Sequence, residues 1–254
     1  MLRTRIIPCL LLKDDTLVKT VKFKNEQYIG DPLNTCRIFN ELEVDEMMIL
    51  DITASKRAAE PNFKVLHSLV SECFMPLSYG GGITKLSQAE QLFYTGFEKI
   101  ILNSILYSEP QIINNIAKVY GSQSVIASID VRKGMFSGYQ LYSHSGSTKQ
   151  KPRILEWAKQ LEDLGAGEIL LTGIDNEGTW KGFDTNLIKM VSDTVGIPVI
   201  ANGGAGSIDH IADAVRNGHA SAVSLGSMVV FQNKGMGVLV NFPDKRKLYS
   251  VLAK

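Results

Sequence analysis

The chain contains 254 residues, of which 44% are hydrophobic and 21% are charged, and its formal net charge is +1. This composition predicts a globular, soluble protein with a full core, and it gives no electrostatic reason to expect nucleic acid or an anionic membrane as a partner. The apolar runs are too short to span a bilayer, and nothing near Met1 has the order of a signal peptide.

Strand-like runs alternate with helical patterns along the chain. Most of the strand-like runs are continuous in Val, Ile and Leu, which is typical of parallel strands covered on both faces. The predicted strands are 5–12, 47–52, 75–79, 99–103, 124–130, 168–172, 198–202 and 222–225. The predicted helices are 32–42, 62–71, 87–95, 109–120, 154–165, 184–195 and 207–218.

Two connections are longer than the others. Residues 13–30 follow the first strand and residues 131–151 follow the fifth, and both are predicted to lie over the chemistry as lids. Alternating residues over 135–141 predict a small hairpin in the second of them.

Eight strands alternating with helices predict a single (β/α)8 TIM barrel of the α/β class over residues 1–254, with a doubly wound sheet as the alternative. The chain also repeats itself, because 123 residues separate Gly80 from Gly203 and Ser104 from Ser227. This spacing predicts an internal half-barrel duplication, with repeats at about 1–123 and 124–254. Two equal halves favour a closed barrel.

Small-residue turns at four strand ends predict one anion site in each half. In the second half the turns are Asn202-Gly203-Gly204-Ala205-Gly206 and Ser224-Leu225-Gly226-Ser227. In the first half they are Gly80-Gly81-Gly82 and Asn103-Ser104. Such turns let backbone N–H groups approach an anion closely, and a helix N-terminus adds its dipole, so we expect a phosphorylated small molecule as ligand.

Carboxylates at strand ends are candidates for proton transfer. Asp51, Asp130 and Asp175 with Glu177 lie at or just after the ends of predicted strands, and Asp130 is the strongest candidate because it closes the apolar run 125–129. The position symmetric to Asp130 is Leu11, which can neither donate nor accept a proton. Asp14 and Asp15 lie nearby, but past the strand.

Neither a metal nor a cofactor is expected. The histidines have no metal-ligand spacing, and each is expected to be structural or solvated. These residues are His67, His144, His210 and His219. Three cysteines without a CxxC pair indicate a reduced, cytoplasmic protein.

Four charged residues lie at the starts of strands one, two, four and six. They are Arg5, Glu46, Lys99 and Glu168. Singly, such charges are ordinarily part of the solvated rim. Together, two of each sign could form a neutral ring that closes the lower mouth of the barrel, since buried charge is tolerable only when it is paired.

Five segments carry the residues of a family resemblance that covers almost the whole chain. They are Arg5-Ile6-Ile7-Pro8-Cys9-Leu10, Leu50-Asp51-Ile52-Thr53-Ala54-Ser55, Gly80-Gly81-Gly82-Ile83, Gly165-Ala166-Gly167-Glu168-Ile169-Leu170-Leu171-Thr172 and Gly203-Gly204-Ala205-Gly206. Together they resemble the cyclase subunit of imidazole glycerol phosphate synthase. The resemblance implies a duplicated barrel with a phosphate site in each half, and a separate glutaminase subunit docked at its N-terminal face as a source of ammonia.

The resemblance also implies roles for individual residues. Implied contacts to substrate or phosphate are Lys19, Asp51, Gly82, Asn103, Ser104, Gly178, Gly204, Gly226 and Ser227. The internal repeat adds Asp175, which echoes Asp51 at a separation of 124 residues, and Gly203, which echoes Gly80. An implied ammonia gate consists of Arg5, Glu46, Lys99 and Glu168. Asp130 matches one catalytic aspartate of the family, whereas the other falls at Leu11 and is missing.

The missing aspartate bears on function, since a positioned proton-transfer group contributes roughly 10²–10⁴-fold to rate. The run from Asn233 to Pro243 looks like cyclase-like proteins encoded with surface-polysaccharide genes, in which a third, sugar-modifying amidotransferase takes the ammonia. Cys9, Cys36 and Cys73 lack the turn of a glutaminase nucleophile, so a glutaminase partner in a heterodimer is implied.

Three hypotheses follow. The leading one is a synthase-type subunit of a glutamine amidotransferase complex that passes ammonia toward amidation of a surface-polysaccharide sugar. The second is a working cyclase of histidine biosynthesis, a lyase-type enzyme. The third is a non-catalytic scaffold for the glutaminase.

Overall fold

The computed structural model describes residues 3–134 and 138–253. In the described chain the strands, in sequence order, are β1 (Arg5–Lys13), β2 (Thr16–Val21), β3 (Lys24–Gly30), β4 (Met47–Asp51), β5 (Leu77–Gly80), β6 (Lys99–Leu102), β7 (Val125–Gly134), β8 (Gly138–Ser143), β9 (Thr148–Lys149), β10 (Glu168–Gly173), β11 (Val199–Asn202) and β12 (Ala222–Leu225).

Eight of these strands form a closed parallel barrel in the order β1-β4-β5-β6-β7-β10-β11-β12, and β12 pairs with β1. The predicted (β/α)8 TIM barrel is therefore confirmed, and the doubly wound alternative is wrong. Closure places β1 and β7 on opposite sides of the barrel, because three strands separate them in either direction. The predicted half-barrel repeat stays a prediction.

Helices cover the outside of the barrel. They are α1 (Pro32–Glu41), α2 (Ala54–Arg57), α3 (Phe63–Glu72), α4 (Leu86–Thr95), α5 (Ile112–Tyr120), α6 (Ile154–Asp163), α7 (Thr185–Ser192), α8 (Ile208–Arg216), α9 (Ser227–Val230) and α10 (Lys245–Leu252). Side-chain caps fix where several of these helices begin. The Asp31 side chain accepts the Asn34 N–H at the start of α1, where Pro32 is the first residue, and the Ser207 side chain accepts the His210 N–H at the start of α8. None of the described helices is long and apolar enough to cross a membrane.

Both long connections contain strands that extend the sheet above the barrel. The first is an antiparallel hairpin of β2 and β3 that pairs with β1. The second contains β8, which pairs antiparallel with the end of β7. This pairing agrees with the hairpin predicted over 135–141, of which residues 135–137 lie outside the described residues.

Two apolar clusters hold the fold together. The larger one fills the space between the strands and the helices, and the smaller one fills the inside of the barrel. Members of the smaller cluster include Ile7, Cys9, Leu11, Met48, Ile101, Ile126, Leu170, Ile200 and Ala222. Each fully buried large aliphatic side chain contributes about 1.5–3 kcal/mol. The barrel interior is thus an apolar column beneath the carboxyl ends of the strands.

Candidate active site

A cavity of about 730 Å³ lies at the carboxyl ends of the barrel strands, where (β/α)8 enzymes place their active sites. It brings together eleven of the residues predicted to bind substrate or transfer protons. These residues are Lys19, Asp51, Gly82, Asn103, Ser104, Asp130, Gly178, Gly203, Gly204, Gly226 and Ser227. Residues from both predicted anion sites therefore line one cavity.

Asp175 is the exception, because it does not line this cavity. Its carboxylate accepts the backbone N–H of Lys133 at 2.8 Å, and Nε of Arg132 lies 4.0 Å away. It ties the end of β7 to the loop after β10, so its position does not support the predicted substrate contact.

The glycine turns adopt conformations that only glycine fits. Gly82 has φ of 69°, and a Cβ there would lie 2.4 Å from the Ala59 carbonyl oxygen. Gly204 has φ of 120°, and a Cβ there would lie 2.2 Å from the Gly182 carbonyl oxygen. Absence of side chains keeps backbone groups accessible from the cavity.

We name the two groups of turns by their residues. The first cradle comprises Gly81, Gly82, Asn103 and Ser104. The second cradle comprises Gly203, Gly204, Gly226 and Ser227. Asp51, beside the first cradle, also has a structural role, because its Oδ1 accepts the backbone N–H groups of Thr53 and Ala54.

Asp130 is buried in the cavity wall. Asn103 Nδ2 donates to Asp130 Oδ2 at 3.0 Å, and Asn202 Nδ2 donates to Thr172 Oγ1, also at 3.0 Å. Burial raises the pKa of Asp130 to about 7, although hydrogen bonds from Thr172 and Asn103 oppose that shift. A carboxyl group that titrates near neutral pH suits general acid–base chemistry.

Leu11 lines the cavity from β1, on the opposite side of the barrel from Asp130. It belongs to the apolar cluster with Cys9 and Val18, against which Leu50 packs. Asp14 does not line the cavity and instead forms an exposed ion pair with Arg57. Asp15 does not line it either. Among the described residues, neither of these loop aspartates therefore stands beside Leu11.

Lys19 extends from β2 into the cavity beside the second cradle. Its Nζ donates to the Cys9 carbonyl oxygen at 2.7 Å, and a Cβ on Gly226 would lie 2.6 Å from Nζ. Burial lowers the pKa of Lys19, although Cys9 and Glu177 oppose that shift. The cavity therefore contains a buried amine on the same strand pair as Leu11.

Glu177, one of the strand-end carboxylates considered for proton transfer, lines the cavity. Its carboxylate accepts Thr20 Oγ1 and the Phe23 N–H, each at 3.0 Å, and burial raises its pKa. Glu177 thereby holds the β2–β3 hairpin against the loop after β10. The sequence marks Glu177 only as a carboxylate after a strand and does not indicate that it holds the hairpin.

A second loop reaches the cavity between β8 and β9. The His144 N–H donates to Ser104 Oγ at 3.0 Å, and Ser145 Oγ donates to the Ile52 carbonyl oxygen at 2.8 Å. His144 lines the cavity, although it was expected to be structural or solvated. Both predicted lids therefore contact the cavity.

The four charged residues at the strand starts meet at the base of the barrel. Arg5 bonds to Glu46 at 2.9 Å and to Glu168 at 2.6 Å. Lys99 lies 2.5 Å from Glu168 and 3.5 Å from Glu46. Both glutamates are buried, so these charges are not a solvated rim. We call this closed, neutral set of ion pairs the base ring.

Other kinds of chemistry have less support. Within residues 3–134 and 138–253, no group of three or more His, Cys, Asp or Glu side chains is arranged to hold a metal ion. Cys9 lies inside the barrel, where burial raises the pKa of its thiol. Such a thiol is a poor nucleophile, because the thiolate is the reactive form.

Known proteins resemble this chain over nearly its whole length. A family model described as "Histidine biosynthesis protein" matches residues 5–234. The "Putative imidazole glycerol phosphate synthase subunit hisF2" of Pseudomonas aeruginosa is 49% identical over 248 residues, which cover 98% of this chain and 99% of that protein. A protein from Chlorobaculum tepidum named imidazole glycerol phosphate synthase subunit HisF is 40% identical over 232 residues, which cover 91% of this chain and 92% of that protein.

Proposed function

Because this chain belongs to the histidine biosynthesis protein family, we propose that it is the cyclase-type subunit of a glutamine-dependent synthase resembling imidazole glycerol phosphate synthase. The observation that carries the proposal is one cavity in which two glycine cradles flank a buried Asp130, above a barrel closed by the base ring. Phosphate anchoring, proton transfer and admission of ammonia are thus arranged along one axis.

The ligand that fits the cavity is phosphorylated at both ends. One phosphoryl group would occupy the first cradle and the other the second, next to the Lys19 amine. Anions bind well where backbone N–H groups converge without intervening side chains. Anchoring both ends would hold the middle of the ligand near Asp130, which then moves a proton during ring closure.

Ammonia would reach this cavity through the barrel from its base. The base ring closes that end, and the column above it is lined by residues such as Ile7, Met48 and Ile101. An apolar column admits a small neutral molecule, whereas it excludes ions because burying an unpaired charge is costly. Opening would require one ion pair of the base ring to separate.

A glutaminase partner at the N-terminal face would supply the ammonia. In the described chain Cys9 is enclosed in the barrel and Cys36 is buried in a helix, so neither is presented as a nucleophile. The relatives named above are described as subunits, which agrees with work in a complex.

Leu11 favours a second candidate function, in which the ammonia serves another acceptor. The resemblance puts a catalytic aspartate of the cyclases at the position of Leu11, whose side chain is apolar, and neither Asp14 nor Asp15 lines the cavity. Ammonia could then pass to a third protein that amidates a surface-polysaccharide sugar. A scaffold without its own chemistry remains as the third candidate, and the buried Asp130 argues against it.

Turnover and binding separate these candidates. Purified protein is mixed with the phosphoribosyl-formimino-carboxamide nucleotide and ammonium salt, and formation of imidazole glycerol phosphate is followed. Measurable turnover supports the proposed cyclase. Tight nucleotide binding with no turnover, together with glutamine-dependent amidation of a sugar in the complex, supports the second candidate. Absence of both binding and ammonia transfer would contradict both and leave the scaffold.

A further inference from the structure

The loop between β8 and β9 crosses over the first cradle. We call residues 144–146 the mouth loop. It is attached on one side to Ser104, which follows β6, and on the other to Ile52, which follows β4. Strand β5, which leads into Gly81 and Gly82, lies between those two strands. The mouth loop therefore spans the glycine turn, and His144 faces the same cavity.

The mouth loop is held in an unfavourable backbone conformation. His144, Ser145 and Gly146 have φ values of 51°, 52° and 76°. For residues other than glycine the left-handed region costs roughly 1–2 kcal/mol each. Strain of this kind persists only where surrounding contacts impose it, and it often marks a functional position. Here the contacts to Ser104 and Ile52 impose it.

Hydrogen bonds define which nitrogen of His144 carries the proton. Gln150 Nε2 donates to Ser143 Oγ at 2.7 Å, and Ser143 Oγ lies 2.8 Å from His144 Nδ1. Ser143 is fully buried, so its own hydroxyl hydrogen needs an acceptor, and Nδ1 is the one in reach. With Nδ1 accepting, the proton of the imidazole lies on Nε2. Within the described chain Nε2 has no hydrogen-bond partner.

We propose that the Nε2–H of His144 donates a hydrogen bond to the phosphoryl group held in the first cradle, and so positions that end of the ligand. The inference rests on the proposed function, because it requires a phosphate ester in this cradle. Ser143 and Gln150 act as positioning residues that fix the ring and its tautomer. The first cradle would thereby use one ionisable side chain from a lid, just as the second cradle has Lys19.

Two isosteric substitutions test the role of the ring. In His144→Gln the side-chain amide nitrogen lies near the place of Nε2 and preserves a donor toward the cradle. In His144→Asn the amide replaces the Nδ1 end only, so it preserves contact with Ser143 but presents no donor to the phosphate. Glycerol 3-phosphate serves as the probe, and its dissociation constant at the first cradle is measured for both variants and the wild type from the NMR shifts of the Gly81 and Gly82 amides during titration.

The expected result is a split between the two variants. His144→Asn should weaken binding on the order of tenfold or more, because a hydrogen bond to a charged group is lost, whereas His144→Gln should stay within about threefold of wild type. Equal affinities for wild type and His144→Asn would overturn the inference while leaving the proposed function intact. Equal losses in both variants would also overturn it, since the ring would then serve the loop alone. Failure of the wild type to bind glycerol 3-phosphate would instead contradict the phosphate cradles themselves.

Discussion

Leu11 and Asp130 line one cavity from opposite strands of the barrel, β1 and β7. The carboxyl group of Asp130 is buried and titrates near neutral pH, whereas Leu11 forms part of an apolar wall. The cavity therefore has a titrating carboxyl group on one side and, on the other, an apolar surface around Leu11 with the buried Lys19 amine nearby. Whether this chain is an efficient cyclase depends on that asymmetry.

Leu11→Asp should create the missing second proton-transfer group. If the cradles bind the nucleotide, turnover with ammonium salt should rise roughly 10²–10⁴-fold, which is the usual contribution of such a group. Leu11→Asn is the matched control, because it is similarly polar but cannot transfer a proton in the same way, and it should stay at the wild-type rate. Wild-type turnover already equal to that of Leu11→Asp would show that the second carboxylate is unnecessary here.

Asp130→Asn should change the dependence of stability on pH. Burial raises the pKa of Asp130 from 3.8 to about 7, so between these values the folded state retains a proton that the unfolded state releases. The wild type therefore loses stability as pH rises through this window, by on the order of a few kcal/mol, whereas the asparagine variant has no such group. Denaturant unfolding at pH 4.5 and pH 8 measures the difference in free energy of unfolding between the variant and the wild type. This difference should shift in favour of the variant at pH 8. An identical difference at both pH values would contradict the burial of an ionisable Asp130.

The sequence predicted the barrel because its strands are continuous apolar runs, which only a sheet covered on both faces explains. It did not predict β3, whose residues Lys24-Asn25-Glu26-Gln27 are all polar and whose pairing depends on β2. Strand ends and the family resemblance together pointed to eleven residues that line the cavity, because parallel strands all deliver their carboxyl ends to one side of the barrel, whereas Asp175 does not line it.

Features set by long-range contacts were harder to predict. His144 lies in a loop whose place over the cavity depends on two distant contacts. Ser104 is 40 residues from its partner His144, and Ile52 is 93 residues from its partner Ser145. Asp175 was assigned by its linear echo of Asp51, whereas its side chain turns to Lys133. Glu177 gains its role only when the β2–β3 hairpin folds onto it.

Lys99→Met should weaken the base ring and the barrel together. Glu46 and Glu168 would then share only Arg5, and breaking part of a buried ion-pair network costs up to about 3–5 kcal/mol. The double variant Lys99→Met with Glu46→Gln restores neutrality and should recover part of that loss, which denaturant unfolding of both variants measures. Equal stabilities of wild type and Lys99→Met would show that the ring is not an energetic unit.

The Lys99→Met variant also tests whether ammonia passes through the base ring. In a complex with the glutaminase, Lys99→Met should change the ratio of glutamine-dependent to ammonium-dependent product formation, because external ammonium can reach the cavity from its open mouth. A ratio unchanged from wild type would argue against passage through the base ring.

Glycine to alanine substitutions at two positions of the second cradle should differ sharply. At Gly204 a Cβ meets the Gly182 carbonyl oxygen at 2.2 Å and φ is 120°, so Gly204→Ala should cost about 2–4 kcal/mol. At Gly226 a Cβ meets the flexible end of Lys19 at 2.6 Å, so Gly226→Ala should cost less, about 1–2 kcal/mol, chiefly through the lost hydrogen bond of Lys19. It should instead displace the Lys19 amine from the Cys9 carbonyl oxygen and expose it.

Two measurements check this contrast, namely denaturant unfolding of both variants and labelling of Lys19 with an amine-reactive reagent, read by peptide mass spectrometry. Gly226→Ala should label faster at Lys19 than the wild type does, because the buried amine has lost its acceptor. Similar stability losses in both variants would mean that the Lys19 side chain is as rigid as backbone. In that case Lys19 could not move to meet a phosphoryl group in the second cradle.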